Sequence, residues 1–211
     1  MLGDAMLANL ITAGRVGLVF VAVGLLYTRT VRGALAALAL VLAAILMDWL
    51  DGFLARRTRT ETPFGAVMDI LGDRIVENTL WIVFAHLRLI PVWVPIVVVV
   101  RGFVTDAFRS VALTQGETAF GENTMIKSRL GRLLVSSRAS RAVYAGAKIV
   151  AFCYMIFYFA LLQSTSAPAP WAHPLGLTIV YVTVALCLIR AIPVVQDGIA
   201  QVKRLRAASR G

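Results

Sequence analysis

Asp48, Asp51, Asp69, Asp73 and Glu77 fall within thirty residues of a chain that has only eleven Asp and Glu in all. Their spacing suits helices. Asp48 and Asp51 are i, i+3, Asp69 and Asp73 are i, i+4, and each pair shares one helix face. A nine-residue connection, Arg57–Gly65, makes the two helices antiparallel neighbours, so the pairs converge. Four carboxylates in one pocket repel one another, and a divalent cation relieves that repulsion. All-oxygen ligands without His or Cys favour a hard ion, Mg2+, Mn2+ or Ca2+, over zinc. Mg2+ completes its shell with water or phosphate oxygens, which points to a phosphorylated substrate. The structural alternative has each Asp neutralised by a neighbour such as Arg56 or Arg74. Four acids at regular helical spacing argue against that reading.

The surrounding segments are apolar. Of 211 residues 59% are hydrophobic and 15% charged, against about 45–50% and about 25% in soluble domains. The excess points to a bilayer, where an unpaired charge costs several kcal/mol and intramembrane acids are functional hypotheses. The predicted spans are Asn9–Tyr27, Gly33–Arg56, Ala66–Leu89, Pro91–Thr114, Arg141–Gln163 and Pro174–Val195. Each has about the 20 residues that cross a ~30 Å hydrocarbon core. The second and third carry charges at one end and score poorly by hydropathy alone. The N-terminus lacks a short apolar segment followed by an A-x-A site, so the run from about Leu10 is read as a retained helix.

Net charge is +10, and the basic residues sit between apolar runs, a pattern that suits anionic lipid and cytoplasmic loops rather than nucleic acid. Arg56, Arg57 and Arg59, then Lys127, Arg129, Arg132 and Arg138, then Lys203, Arg204, Arg206 and Arg210 fall on one side. The other side has Arg29, Arg32 and Arg88, with no Lys or Arg in Ser164–His173. The positive-inside rule puts both termini in the cytoplasm. Trp93 and Trp171 fit an outer aromatic belt, whereas Trp49 and Trp81 do not. The expected fold is therefore an all-α integral membrane protein, a six-transmembrane-helix bundle with both termini cytoplasmic. A single catalytic domain spans 1–211, with its site on helices 33–56 and 66–89 and a polar cytoplasmic loop at 115–140.

Small residues flank the acids. Gly52 follows Asp51, Ala55 lies one turn on, and Gly65 opens the next helix. Glycine in a membrane helix commonly serves helix packing; beside carboxylates it also makes room for a nucleotide. Arg56 is placed to meet a phosphate or to snorkel at the interface.

The whole stretch from Asp48 to Asp73 resembles the signature D-x2-D-G-x2-A-R-x8-G-x3-D-x3-D of the CDP-alcohol phosphotransferases, with all eight specified residues present over 26 positions. Six spans and cytoplasmic termini agree with that family's usual architecture. The resemblance implies that Asp48, Asp51, Asp69 and Asp73 bind two divalent metals, Mg2+ or Mn2+. It implies a CDP site lined by Gly52, Ala55, Arg56 and Gly65, and a general base at Asp73. It also implies transfer of a phosphatidyl group from CDP-diacylglycerol to a polar alcohol with release of CMP, at the cytoplasmic face of the plasma membrane, by a homodimer.

The acceptor is read from weaker signals. A phosphorylated alcohol needs a cationic pocket, and the candidates are Arg101, Arg109, Arg129, Arg132, Arg138 and Arg190, with Lys127 and Arg141 beside them. Arg101-x7-Arg109, with the later Ser128-Arg-Leu-Gly131-Arg132, resembles phosphatidylglycerophosphate synthases and favours glycerol 3-phosphate. Asp73–Arg74 departs from the Asp-Lys usual there and is more like inositol phosphate transferases, which makes inositol phosphate the alternative acceptor. Glu77 extends the Asp69–Asp73 face and is read as structural. Asp106 is expected to pair with Arg109 or Arg101, and Lys148 to face the interior with an anionic partner. His86 and His173 are placed at the outer interface and are not read as ligands, and Cys153 and Cys187, without metal-ligand spacing, are read as small core or lipid-facing residues. Two rival classes, a Mg-dependent prenyltransferase and a cation transporter, lack their expected signs: two widely separated Asp clusters, and an internal repeat or broken helices.

Overall fold

The computed structural model describes residues 2–58, 63–113, 137–164 and 167–208. Among these residues all regular structure is helical: α1 (Leu2–Tyr27), α2 (Val31–Thr58), α3 (Pro63–His86), α4 (Trp93–Leu113), α5 (Arg138–Leu162) and α6 (Ala172–Ala208). Each of the six predicted spans falls on one of them. By length and composition three are apolar enough to cross a membrane, over Val31–Asp48, Ala139–Leu162 and Ala172–Lys203. The apolar stretch of α1, Thr12–Tyr27, is shorter. Charged residues at Asp69, Asp73, Arg74 and Glu77 interrupt α3, and Arg101, Asp106 and Arg109 interrupt α4. At the second span the low hydropathy was confined to the motif end; the part before Asp48 is long and apolar enough by itself.

Local chemistry sets the helix ends. Thr30 caps α2, its Oγ1 accepting from the Gly33 N–H at 3.0 Å. Arg29 takes a left-handed φ of 49° between α1 and α2, and Gly33 has no room for a Cβ against Thr28 and the Leu25 carbonyl. The α1–α2 hairpin therefore depends on glycine at 33. Past α3, Arg88 (φ 59°) occupies the left-handed position of a Schellman turn. The Leu89 N–H donates to Phe84 O at 2.9 Å and the Arg88 N–H to Ala85 O at 3.0 Å. Ser137 caps α5, accepting from the Ser140 N–H at 3.1 Å. α6 continues through Pro193 to Ala208, well past the predicted end at Val195. At 1.5 Å per residue it is about 55 Å long, more than a ~30 Å hydrocarbon core needs.

The chain divides into two compact units. The first, Met1–Val92 with Ile149–Leu177, packs α1 against α2 and α3. Its core combines small residues (Ala22, Ala34, Ala37, Ala44) that let helix backbones approach with an aromatic cluster. Trp81 and Phe84 meet Phe152 edge-on, with ring centroids 4.9 and 6.0 Å apart. His173 Nε2–H donates to Leu89 O at 3.2 Å, and its ring stacks on Tyr158. His86 lies against Tyr27, their ring centroids 5.6 Å apart. The second unit, Trp93–Lys148 with Thr178–Gly211, joins α5 to α6 through Thr183, whose Oγ1 donates to Ala147 O at 3.2 Å. Cys187 is buried there, and both cysteines are free thiols.

Candidate metal centre

Three of the four motif aspartates meet in the first unit. Asp48 comes from α2, and Asp69 and Asp73, one turn apart, come from α3. One carboxylate oxygen from each lies within 4.8 Å of the others. The side chains are 43%, 54% and 54% exposed respectively, so the cluster opens outward rather than into the core. Oxygens on opposite sides of a hard cation stand about 4–5 Å apart, twice a metal–oxygen distance of about 2.1 Å for Mg2+ or about 2.4 Å for Ca2+. The three carboxylates fit such an ion.

A fourth residue, from α1, completes the cluster. Arg15 is buried, its side chain only 5% exposed, yet it reaches all three acids. Its Nη1 pairs with Asp48 Oδ1, while Nη2 lies 3.0 Å from Asp73 Oδ1 and 3.4 Å from Asp69 Oδ1. Among the described residues Arg15 Nε has no hydrogen-bond partner. Gly72, between the two α3 aspartates, makes the approach possible. A Cβ there would lie 2.7 Å from the Thr12 methyl and 2.9 Å from Arg15 Nη2. Thr12 and Arg15 are both buried.

The sequence points to a divalent cation as what neutralises these acids, with Arg56 or Arg74 as the structural alternative; the counter-charge the structure shows is Arg15. The signal was present. Arg15 is the only charged residue in the first predicted span, Asn9–Tyr27, and an arginine inside an apolar helix requires an acidic partner. No acid lies within that span, so the partner had to come from another helix.

Asp51, Gly52, Ala55 and Arg56 lie in α2 and Gly65 in α3, but their side chains are outside the described residues. Arg129 and Arg132 lie outside them entirely, as does the side chain of Arg138 at the start of α5. Glu77 is buried, in keeping with a structural role.

The second unit gathers basic residues around one ring. Arg101, Lys148 and Arg190 stand over the Tyr144 ring, 5.9, 5.0 and 5.6 Å from its centroid. Arg190 Nη1 donates to Ser140 Oγ at 2.5 Å. Of the acceptor candidates whose side chains are described, Arg101 and Arg190 are thus brought together. Arg109 instead engages Asp106 at 3.4 Å, the i, i+3 pairing expected from the sequence. The ring face offsets part of the repulsion among the cations. Tyr144 and Ser140 are not singled out by the sequence; Lys148, expected to face the interior with an anionic partner, stands here over the Tyr144 ring.

The CDP-alcohol phosphatidyltransferase pattern matches residues 5–202, nearly the whole chain. The chain belongs to this enzyme family. It is 34% identical over 83 residues to a Bacillus subtilis (strain 168) CDP-diacylglycerol–glycerol-3-phosphate 3-phosphatidyltransferase, covering 39% of this chain and 43% of that one. A Pseudomonas fluorescens protein of the same name is 41% identical over 68 residues, 32% of this chain and 35% of its own. A cardiolipin synthase (CMP-forming) from Oryza sativa subsp. japonica is 37% identical over 70 residues, 33% and 21% respectively. The chain thus aligns with less than half the length of these curated relatives.

Proposed function

We propose that this protein is an integral membrane phosphatidyltransferase of phospholipid biosynthesis, which transfers the phosphatidyl group of CDP-diacylglycerol to a polar alcohol and releases CMP. The observation that carries this reading is the convergence of Asp48, Asp69 and Asp73 from two helices, within a chain matched to the family along most of its length. That match spans residues of both compact units, which supports reading 1–211 as one catalytic domain.

In this reading Asp48, Asp51, Asp69 and Asp73 hold divalent cations, Mg2+ or Mn2+. Such cations supply neutralisation of the pyrophosphate and of the charge left on CMP. Gly52, Ala55 and Gly65 leave room for the cytidine nucleotide, and Arg56 meets its phosphate. Asp73 takes the proton from the acceptor hydroxyl. The acceptor oxygen then bonds to the β-phosphorus as the bond from that phosphorus to the CMP oxygen breaks, so no Ser or Cys nucleophile is required. Asp73 is 54% exposed, which leaves it accessible to an acceptor.

Glycerol 3-phosphate is the acceptor we favour, because two of the relatives above are named for it. Arg101 and Arg190, with Lys148, form a cationic group of the kind a phosphorylated alcohol requires. Asp73–Arg74 supports inositol phosphate as the second reading. The distribution of Lys and Arg supports cytoplasmic termini, with the site on the cytoplasmic side of the plasma membrane; the family resemblance supports six spans and a homodimer as the working assembly.

The test is CMP release by purified protein in detergent with CDP-diacylglycerol and Mg2+. Glycerol 3-phosphate, inositol 1-phosphate, inositol and serine are offered separately, with Asp69→Asn as the blank. Release that depends on glycerol 3-phosphate and vanishes in the variant is expected. No binding of a cytidine nucleotide would sink the reading and reopen the prenyltransferase and transporter classes.

A further inference from the structure

Arg15 occupies the place where a cation belongs. It is a buried guanidinium whose partners are oxygens of the same three carboxylates that suit a metal. A buried charge stripped of its partners is strongly unfavourable, so Arg15 needs these acids. The acids in turn need a cation to stay together. Three carboxylates carry −3, and Arg15 brings the described cluster to −2, the charge that one divalent ion neutralises. The same carboxylates cannot serve both cations at full strength, and a divalent ion a few ångströms from a guanidinium is repelled by it.

We propose that Arg15 is a tethered counter-ion, which holds the metal-free carboxylates together and competes with the divalent cation for the same three carboxylates. This rests on the metal-binding reading above and adds a regulation of that site. Binding of the ion requires Arg15 to loosen its grip on at least part of the cluster. Metal affinity is therefore weak while the site holds no anion, and rises when a pyrophosphate arrives that can accept hydrogen bonds from the guanidinium. The unpartnered Nε leaves Arg15 with a donor to spare for such a ligand. Gly72 is part of the device, since the absence of a side chain there lets Arg15 lie against α3 between Asp69 and Asp73. Arg15 acts through the metal ligands and is a positioning residue.

The experiment measures Mn2+ binding by calorimetry, or by the loss of the free-ion paramagnetic resonance signal, on detergent-purified protein without substrate. Wild type is compared with Arg15→Gln, Arg15→Lys and Asp69→Asn. Arg15→Gln is expected to bind Mn2+ about tenfold more tightly, a gain of about 1.4 kcal/mol, and to melt at a lower temperature without metal, with Mg2+ restoring the loss. Arg15→Lys retains the charge and is expected to stay within about threefold of wild-type affinity, which keeps the comparison usable if the glutamine variant folds poorly. Unchanged or weaker Mn2+ binding in Arg15→Gln, with binding still abolished by Asp69→Asn, would overturn the role of Arg15 and leave the metal site standing. Mn2+ binding indifferent to Asp69→Asn would overturn the metal site, and the role of Arg15 with it.

Discussion

Asp69 and Gly72 answer different questions about the same helix. Asp69 is one of three exposed carboxylates that converge, so Asp69→Asn removes a ligand and a charge while leaving the volume nearly unchanged. It should lower CMP release by more than about 100-fold, beyond the usual loss from disturbing only a ligand's support, with little change in thermal stability. Gly72 is buried against Thr12 and Arg15. Gly72→Val should destabilise the protein by about 1–3 kcal/mol through overpacking, seen as a lower melting temperature in detergent. In the second unit the relevant residue is Tyr144, whose ring carries three cations. Tyr144→Phe keeps the ring face and should retain activity. Tyr144→Ala should raise the KM for a phosphorylated acceptor by about 3- to 30-fold, the equivalent of about 0.5–2 kcal/mol of lost cation–π support. Steady-state kinetics with the acceptor varied separates the two variants.

At the scale of elements, the helix ends hold reserves of stability. Arg88 takes a left-handed conformation at the end of α3, where glycine carries no Cβ penalty. Arg88→Gly should stabilise the protein by about 1 kcal/mol, provided that chain entropy does not offset the gain. Thr30→Ala, which removes the cap of α2, should cost about 1 kcal/mol. Thermal melts of both variants in one detergent test the pair together, and the opposite signs guard against a general effect of substitution. The long α6 shows how an element can outrun its apolar pattern. The helix runs through Pro193 and on past the apolar stretch Ala172–Lys203 to Ala208.

Across the whole molecule, large apolar side chains face outward. Phe103 is 72% exposed and Val67 62%, and most of each candidate span is not buried within the protein. In water this surface would drive association; in a bilayer it meets lipid. The orientation is testable through the same surface. Ser164→Cys should react with an impermeant maleimide on intact cells, and Lys203→Cys only after permeabilisation. Cys153 and Cys187 lie within the apolar spans and should contribute little background. Reaction of both engineered sites from outside would overturn the cytoplasmic assignment of the C-terminus.

The helical fold, the six segments and the aspartate motif were legible in the sequence because each is a local property. Apolar length reports the span, and i, i+3 and i, i+4 spacing reports the shared face of Asp48 and Asp51 or of Asp69 and Asp73. The boundaries of α6 were less legible, since a solvated helix needs no apolar run to continue. What only the tertiary structure decided is which residues from distant helices share a charge. Arg15 stands 33 positions before Asp48 and 58 before Asp73 by residue number, and no periodicity links them. They meet because Gly72 leaves space for α1 and because a buried guanidinium has nowhere else to place its charge. The gathering of Arg101, Lys148 and Arg190 on Tyr144 was hidden in the same way, for an aromatic residue facing a core and one facing cations look alike until the helices around it are packed.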